Sequence, residues 1–262
     1  MKIFRGKLKF GDNHILLEIN DEDLIIFIEK EYIYHETTGN ADKGISLSVQ
    51  PSTSGITFTF RKDGHLKKKV NIARASGTPY KEFILQGMIE MCLSEMDIFF
   101  MHASSFVEKK NLHIFLGTSG SGKTTILKRL DPKIVTSNDT IVLMKNNKGS
   151  VDVLYPSPFD KKTYGKVREK IIALRKVHFY SLKKAKINTI GLLLLHEKME
   201  LLVQNMNAYM FSVQKDVARN PALKSELQEM AIKKAFLLLR SIIRRLSFNK
   251  RITSEQFIKI QT

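Results

Sequence analysis

Gly117-Thr118-Ser119-Gly120-Ser121-Gly122-Lys123-Thr124-Thr125 is the stretch on which the reading of this chain turns, because its first eight residues satisfy the spacing G-x-x-x-x-G-K-[ST] in full. Glycines at 117, 120 and 122 allow successive backbone N–H groups to turn inward around phosphate oxygens. Lys123 has the reach to meet β and γ phosphates, and the Thr124 hydroxyl is the kind of ligand that holds Mg²⁺. The flanks agree with the pattern. Leu112–Leu116 is an apolar run of strand length, and Ile126, Leu127 and Leu130 have helical spacing, so the order is strand, loop, helix. The stretch predicts that residues 117–125 bind a nucleoside triphosphate such as ATP, with Mg²⁺, at the head of a helix over 123–130.

The whole chain sets the frame. Its 262 residues suffice for one large domain or two small ones, and 43% hydrophobic with 26% charged residues is ordinary globular usage. No apolar run approaches the ~18 residues of a membrane span, so no transmembrane segment is expected. Met1 to Gly6 leads straight into a strand-like pattern with no apolar leader, which predicts a cytoplasmic protein. Cys92 is the sole cysteine, which excludes an internal disulfide and a cysteine-built zinc site; its apolar neighbours predict a buried thiol. The seven histidines lack metal-ligand spacing. Against 26 acids stand 43 Lys and Arg, a formal charge of +17. Such an excess suits RNA, DNA, an anionic membrane or an acidic substrate, and equally follows from lysine-rich codon usage.

Residues 1–96 read as a β-rich module with two helices. Strands over 2–10 and 14–19 flank Gly11-Asp12-Asn13, and Asn20 to Asp23 cap a helix whose Leu24, Ile28 and Tyr32 share one face. Residues 44–49 alternate, and 55–61 pair with 66–72 across Asp63-Gly64, a hairpin turn signal. Lys67-Lys68-Lys69 reads as a solvated edge. Thr78 as cap and Pro79 in the first turn open a helix to about Met96, with Ile84, Met88, Met91 and Cys92 on its buried face.

Residues 97–262 carry the loop. Ile98–Met101 is a short strand ending at His102-Ala-Ser-Ser105, joined through the turn 108–111 to the strand that enters the glycine-rich loop. Residues 133–139 read as a strand closed by Asp139, a position from which a carboxylate can organise Mg²⁺. Strands over 141–145 and 151–154 form a hairpin, and Pro156 and Pro158 make a loop. From 161 to 186 ten Lys or Arg face the single acid Glu169, either a solvated surface or a positive lid, with a helix over 163–174. Ile187–Leu195 reads as a strand buried on both faces, with His196 structural. Asn220-Pro221 cap a long helix through Leu223, Leu227, Met230, Leu237 and Ile242, with Arg240, Arg244 and Arg245 at its end, suited to the helix dipole or to a phosphate.

Taken together, Met101-His102-Ala103, Gly117 to Thr124 and Ser137-Asn138-Asp139 resemble the catalytic domain of HPr kinase/phosphorylase and its smaller single-chain relatives, which include peptide-modifying kinases. The resemblance covers roughly residues 95–200. It implies that His102 orients or polarises the acid at the reaction centre, that Lys123 and the loop hold ATP, that Thr124 and Asp139 hold Mg²⁺, and that the protein is a homo-oligomer. Where the family carries two adjacent acids this chain has Asn138 before Asp139, and an amide cannot take a proton from an attacking hydroxyl. The arginine- and glycine-containing stretch of the full-length enzyme is missing downstream, so neither the phosphorylase reaction nor HPr as substrate is implied.

The expected fold is α/β, a P-loop kinase core of HPr-kinase type over 97–262 after a β-rich α+β module over 1–96. The expected function is Mg-ATP-dependent transfer of the γ-phosphate to a serine-like hydroxyl of a peptide, protein or small molecule, with His102, Lys123 and Asp139 catalytic. The alternatives are a nucleotide-binding regulator or pseudokinase, motivated by Asn138, and a P-loop NTPase that binds nucleic acid through 161–186. The last ranks lowest, since only Tyr164, Phe179 and Tyr180 interleave with those cations.

Overall fold

The computed structural model describes residues 3–32, 34–37, 44–73, 76–109, 111–117, 120–138, 140–145, 151–154, 159, 176–184, 189–206, 221–238 and 243–248. Among them the chain is mixed α/β, with three sheets and five helices. It divides into two compact units, Met1–Phe99 with Tyr209–Leu227, and Phe100–Ala208 with Gln228–Thr262.

In the first unit β1 (Phe4–Phe10) and β2 (Asn13–Ile19) form the expected hairpin, in register from Phe4 opposite Ile19 to Phe10 opposite Asn13. Helix α1 (Glu22–Glu31) starts where Asp21 accepts the Leu24 N–H at 3.1 Å, with Glu22 and Asp23 in the first turn. Strands β3 (His35–Glu36), β4 (Ile45–Ser52), β5 (Gly55–Lys62) and β6 (His65–Ala73) complete a six-stranded sheet in the order β3-β1-β2-β4-β5-β6. Asp63 and Gly64 both have positive φ, 49° and 76°, as a two-residue hairpin turn with right-handed strand twist requires. Alternation puts Leu8, Phe10, Ile15, Ile19, Leu47, Val49 and Phe58 in the core.

Helix α2 (Thr78–Ser94) packs on β2, β4, β5 and α1. Its cap is Gly77 rather than Thr78, without a side-chain hydrogen bond; the Thr78 hydroxyl bonds Asp23 instead. Lys81 donates to Asp21 at 2.9 Å and Asp23 at 2.8 Å and so ties the two helices together. Cys92 is buried, and that burial pushes its thiol pKa up, as expected of an inert thiol. Edge strand β6 carries the exposed Lys67 and Lys69, the solvated edge anticipated from the sequence.

The second unit is built on a mixed sheet. After β7 (Ile98–His102), which starts at the boundary between the units, come β8 (Ser104–Glu108), β9 (Asn111–Leu116), α3 (Lys123–Leu127), β10 (Val135–Ser137), β11 (Thr140–Lys145) and β12 (Val151–Leu154). They are followed by β13 (Lys176–Lys184), β14 (Thr189–Leu192), α4 (Leu195–Met206), α5 (Pro221–Leu238), which belongs to the first unit up to Leu227, and β15 (Ile243–Phe248). Six strands lie in the order β10-β8-β9-β13-β15-β14, and β12-β11-β7 form a separate small sheet. Strands β9, β13 and β15 are mutually parallel. Phe106, Phe115, Tyr180 and Leu182 from the sheet and Ile126, Leu127 and Leu130 beside α3 form one buried cluster.

Several expectations are corrected here. The segment 98–105 is two strands in different sheets, β7 and β8, because the chain changes sheet at Ala103; it is β8, not β7, that pairs with the following strand β9. Helix α3 stops at Leu127, and Arg129 and Leu130 close through tighter i→i−3 bonds that still bury Leu130. Part of the basic segment is neither lid nor solvated surface: β13 is an interior strand with Phe179, Tyr180 and Leu182 buried. The apolar run 187–195 holds an edge strand, not one buried on both faces, and Leu192, Leu194 and Leu195 are exposed. His196 belongs to α4, which starts where Glu197 accepts the Leu194 N–H at 3.0 Å. Helix α5 ends at Leu238, so Arg244 and Arg245 lie in β15 instead of at a helix terminus. Arg240, Asn220, the proline loop 155–158 and the helix expected over 163–174 lie outside the described residues.

Candidate functional site

The register of the second sheet brings the singled-out segments to one edge. Ser104 at the start of β8 lies opposite Phe115 at the end of β9, and Ser105 lies opposite Ser137 at the end of β10. The carboxyl ends of β9, β10 and the adjoining β13 therefore share the edge at which β8 begins. That edge of an open α/β sheet is where ligands ordinarily sit. His102, half-buried, is the last residue of β7 and stands two residues before Ser104.

Hydroxyls lock this edge. Ser104 donates to the Asn138 carbonyl at 2.7 Å, and Ser105 and Thr136 hydroxyls are 2.8 Å apart. The Ser137 hydroxyl donates to the Thr140 carbonyl at 2.9 Å and accepts the Thr140 N–H at 3.1 Å. Ser137 and Thr140 are thus tied to each other, and Asn138 between them is exposed. Asp139, the expected metal-binding acid, lies outside the described residues, as do Thr118 and Ser119.

The glycine-rich loop follows β9 and precedes α3, the order expected from the sequence. Gly117, Gly120 and Gly122 all have positive φ, at 154°, 78° and 106°. A Cβ on Gly117 would stand 2.5 Å from Ser121 Oγ, so the loop closes on itself where only glycine fits. Lys123 is buried, with its ammonium donating to the Gly117 carbonyl. Ser121 Oγ is buried with no hydrogen-bond partner among the described residues. Thr124 and Thr125 are exposed in the first turn of α3. An ammonium spent on the loop's own carbonyl and an unpaired hydroxyl beside it are donors suited to an anion.

One site residue carries no signature in the sequence. Asn205 on α4 is buried, and its side-chain oxygen accepts the Gly117 N–H at 3.1 Å while its amide donates to the Leu201 carbonyl at 2.7 Å. Gly117 is therefore held at both its N–H, by Asn205, and its carbonyl, by Lys123. Arg245 pairs with Glu197 at the other end of α4, and that bond holds the Glu197 carboxyl below its usual range. Among the described residues no helix is long and apolar enough to cross a membrane, and no cluster of three or more metal-binding side chains occurs. No protein-family model matches the chain, and no curated protein matches it.

Proposed function

We propose that this chain is a Mg-ATP-dependent kinase with a P-loop core of the HPr-kinase type, phosphorylating a serine-like hydroxyl of a peptide, protein or small molecule. The observation that carries the reading is the meeting at one sheet edge of the glycine-rich loop, the His102-Ala103-Ser104 corner and the Ser137-Asn138 turn. Bound ATP supplies the transferable phosphoryl group, and its Mg²⁺ neutralises the charge that builds during transfer. The residues present fit that group. The loop amides and Lys123 would hold the phosphates, with Lys123 exchanging the Gly117 carbonyl for phosphate oxygens, and Thr124 and Asp139 would hold the metal. His102 would orient the acceptor hydroxyl or take its proton, since Asn138 can accept a hydrogen bond but not a proton.

A second reading, a nucleotide-binding regulator or pseudokinase, is favoured by Asn138, an exposed amide where the resemblance calls for an acid. The nucleic-acid reading loses support, because Phe179 and Tyr180 of the basic segment are buried and cannot stack on bases. Incubation with γ-labelled ATP and a panel of serine peptides, small hydroxyl compounds and RNA separates the readings. The kinase reading expects label on a hydroxyl acceptor, lost in Lys123→Ala. ATP binding with no transfer by the parent, together with transfer gained in Asn138→Asp, would overturn it in favour of the regulator.

A further inference from the structure

The sheet of the first unit has one face in the core and one in solvent, and the balance of charge differs between the two sides. Cations Arg5, Lys7, Lys9, Arg61 and Lys69 sit at outward positions of β1, β5 and β6. Cross-strand register places Arg5, Glu18, Ser48, Thr59 and Lys69 in one continuous row across five strands. Glu18 is the one acid in these rows, and it is already engaged by Arg5 at 3.1 Å and Gln50 at 2.8 Å. Lys7, Lys9 and Lys69 have no ion-pair partner among the described residues. The helical side holds the acids, with Asp21, Glu22, Asp23, Glu29 and Glu31 at α1 and its cap, and its cations Lys30, Lys62, Lys68 and Lys81 are each paired with a helix or helix-cap carboxylate. Lysine-rich composition accounts for cations on both sides; it does not account for a face whose Lys7, Lys9 and Lys69 lack acids to pair with among the described residues.

We propose that this open face docks an acidic polypeptide segment, laid across the strands with its carboxylates on the Lys7, Lys9, Arg61 and Lys69 side chains. The six-stranded face spans about 24 Å at the usual interstrand spacing, the reach of about seven extended residues. Between the cations the outward Ser48, Thr57, Thr59 and Asn71 offer hydroxyl and amide partners for a peptide backbone. His14 senses the field, its basicity lowered by burial and then by Lys7 and Lys9. The outward rows hold no Phe, Tyr or Trp, so bases would find no stacking platform; the charge complement favours a peptide over RNA. The proposal does not depend on phosphoryl transfer.

The test is fluorescence anisotropy of the full chain, without nucleotide, using a labelled short Glu/Ser peptide and an RNA oligonucleotide of equal charge. Lys7→Glu/Lys9→Glu/Lys69→Glu is compared with Lys109→Glu/Lys128→Glu/Lys133→Glu, an equal charge change at exposed positions of the second unit. The face triple is expected to weaken peptide binding about tenfold or more at low salt, and the control less than about twofold. A Lys→Gln triple at 7, 9 and 69, checked for fold by circular dichroism, is expected to lose a smaller part of the affinity in the same direction. Equal losses in both sets would reduce the effect to bulk charge and overturn the proposal, as would RNA binding more tightly than the peptide through the same lysines.

Discussion

Ser121→Ala should move stability and nucleotide affinity in opposite directions. Burying a hydroxyl without a partner costs about 1–3 kcal/mol, and Ser121 Oγ is in that state among the described residues. Removing the oxygen recovers that cost and forfeits a few tenths of a kcal/mol of packing where it faces Gly117. The net expectation is a gain of about 0.5–2 kcal/mol, or a rise in Tm of about 2–6 °C for a unit of this size. If the hydroxyl is kept unpaired in order to meet a phosphate, its loss removes a hydrogen bond to a charged group, about 1.5–3 kcal/mol, and weakens ATP by about 10–100-fold. Scanning calorimetry without nucleotide reads the first quantity and titration calorimetry with ATP the second. A fall in Tm would show that Oγ already has a partner in the folded protein. Unchanged ATP affinity beside a raised Tm would show that the unpaired oxygen does not serve the anion.

Four further outcomes follow from the same geometry. Gly117→Ala should destabilise the second unit by about 1–3 kcal/mol, read by denaturant midpoint, because its φ of 154° disfavours a side chain and the new Cβ would meet Ser121. Lys123→Ala should weaken triphosphate binding far more than monophosphate binding, and equal ATP affinity by calorimetry would sink the loop assignment. Asn205→Ala leaves the buried Gly117 N–H without an acceptor, so it should cost about 1–3 kcal/mol in stability and raise the Kd for ATP, two effects that calorimetry separates. His113, buried and beside His178, is held down to about 4 against an ordinary 6.5. The unfolded chain therefore takes up the extra proton as pH falls through that window, and about 2 kcal/mol of stability present at about pH 7 should be lost by about pH 5, a slope that His113→Gln should remove.

The elements legible in the sequence are those whose signals are local. Asp63-Gly64 needs only its own backbone to make a hairpin, and Asp21 needs only the N–H three residues ahead to start α1. The elements that escaped are decided by distant partners. Lysines at both ends of β13 mask the alternation of Val177, Phe179 and the residues beyond, and only the neighbouring β9 and β15 make the segment an interior strand. Ser104 and Ser105 look like loop residues because nothing nearby shows that Asn138 and Thr136 will satisfy their hydroxyls. Four consecutive leucines, 192–195, have no period to separate an edge strand from the helix that follows. Within the candidate site the loop, His102 and the 137–138 turn could be found by pattern; Asn205 could not, because one asparagine on an unanticipated helix carries no signature.

That hidden contact bears on which anion the loop would prefer. Asn205 fixes the Gly117 N–H, and α4 is itself tied to β15 through Glu197 and Arg245, so the first residue of the loop is anchored to the sheet by two routes. Lys123 starts bonded to the carbonyl of that same residue. An arriving anion must therefore offer Lys123 more than a neutral carbonyl does. A singly charged group replaces one hydrogen bond with one stronger one, a modest gain set against its own desolvation. A chain of linked phosphates offers several charged oxygens at once and can also meet Ser121 and the loop amides without asking the anchored Gly117 to move. If the loop binds phosphates as proposed, exchange of the Gly117 carbonyl for several linked phosphate oxygens should favour a triphosphate over a monoanion, and that contrast should shrink when Lys123 is removed.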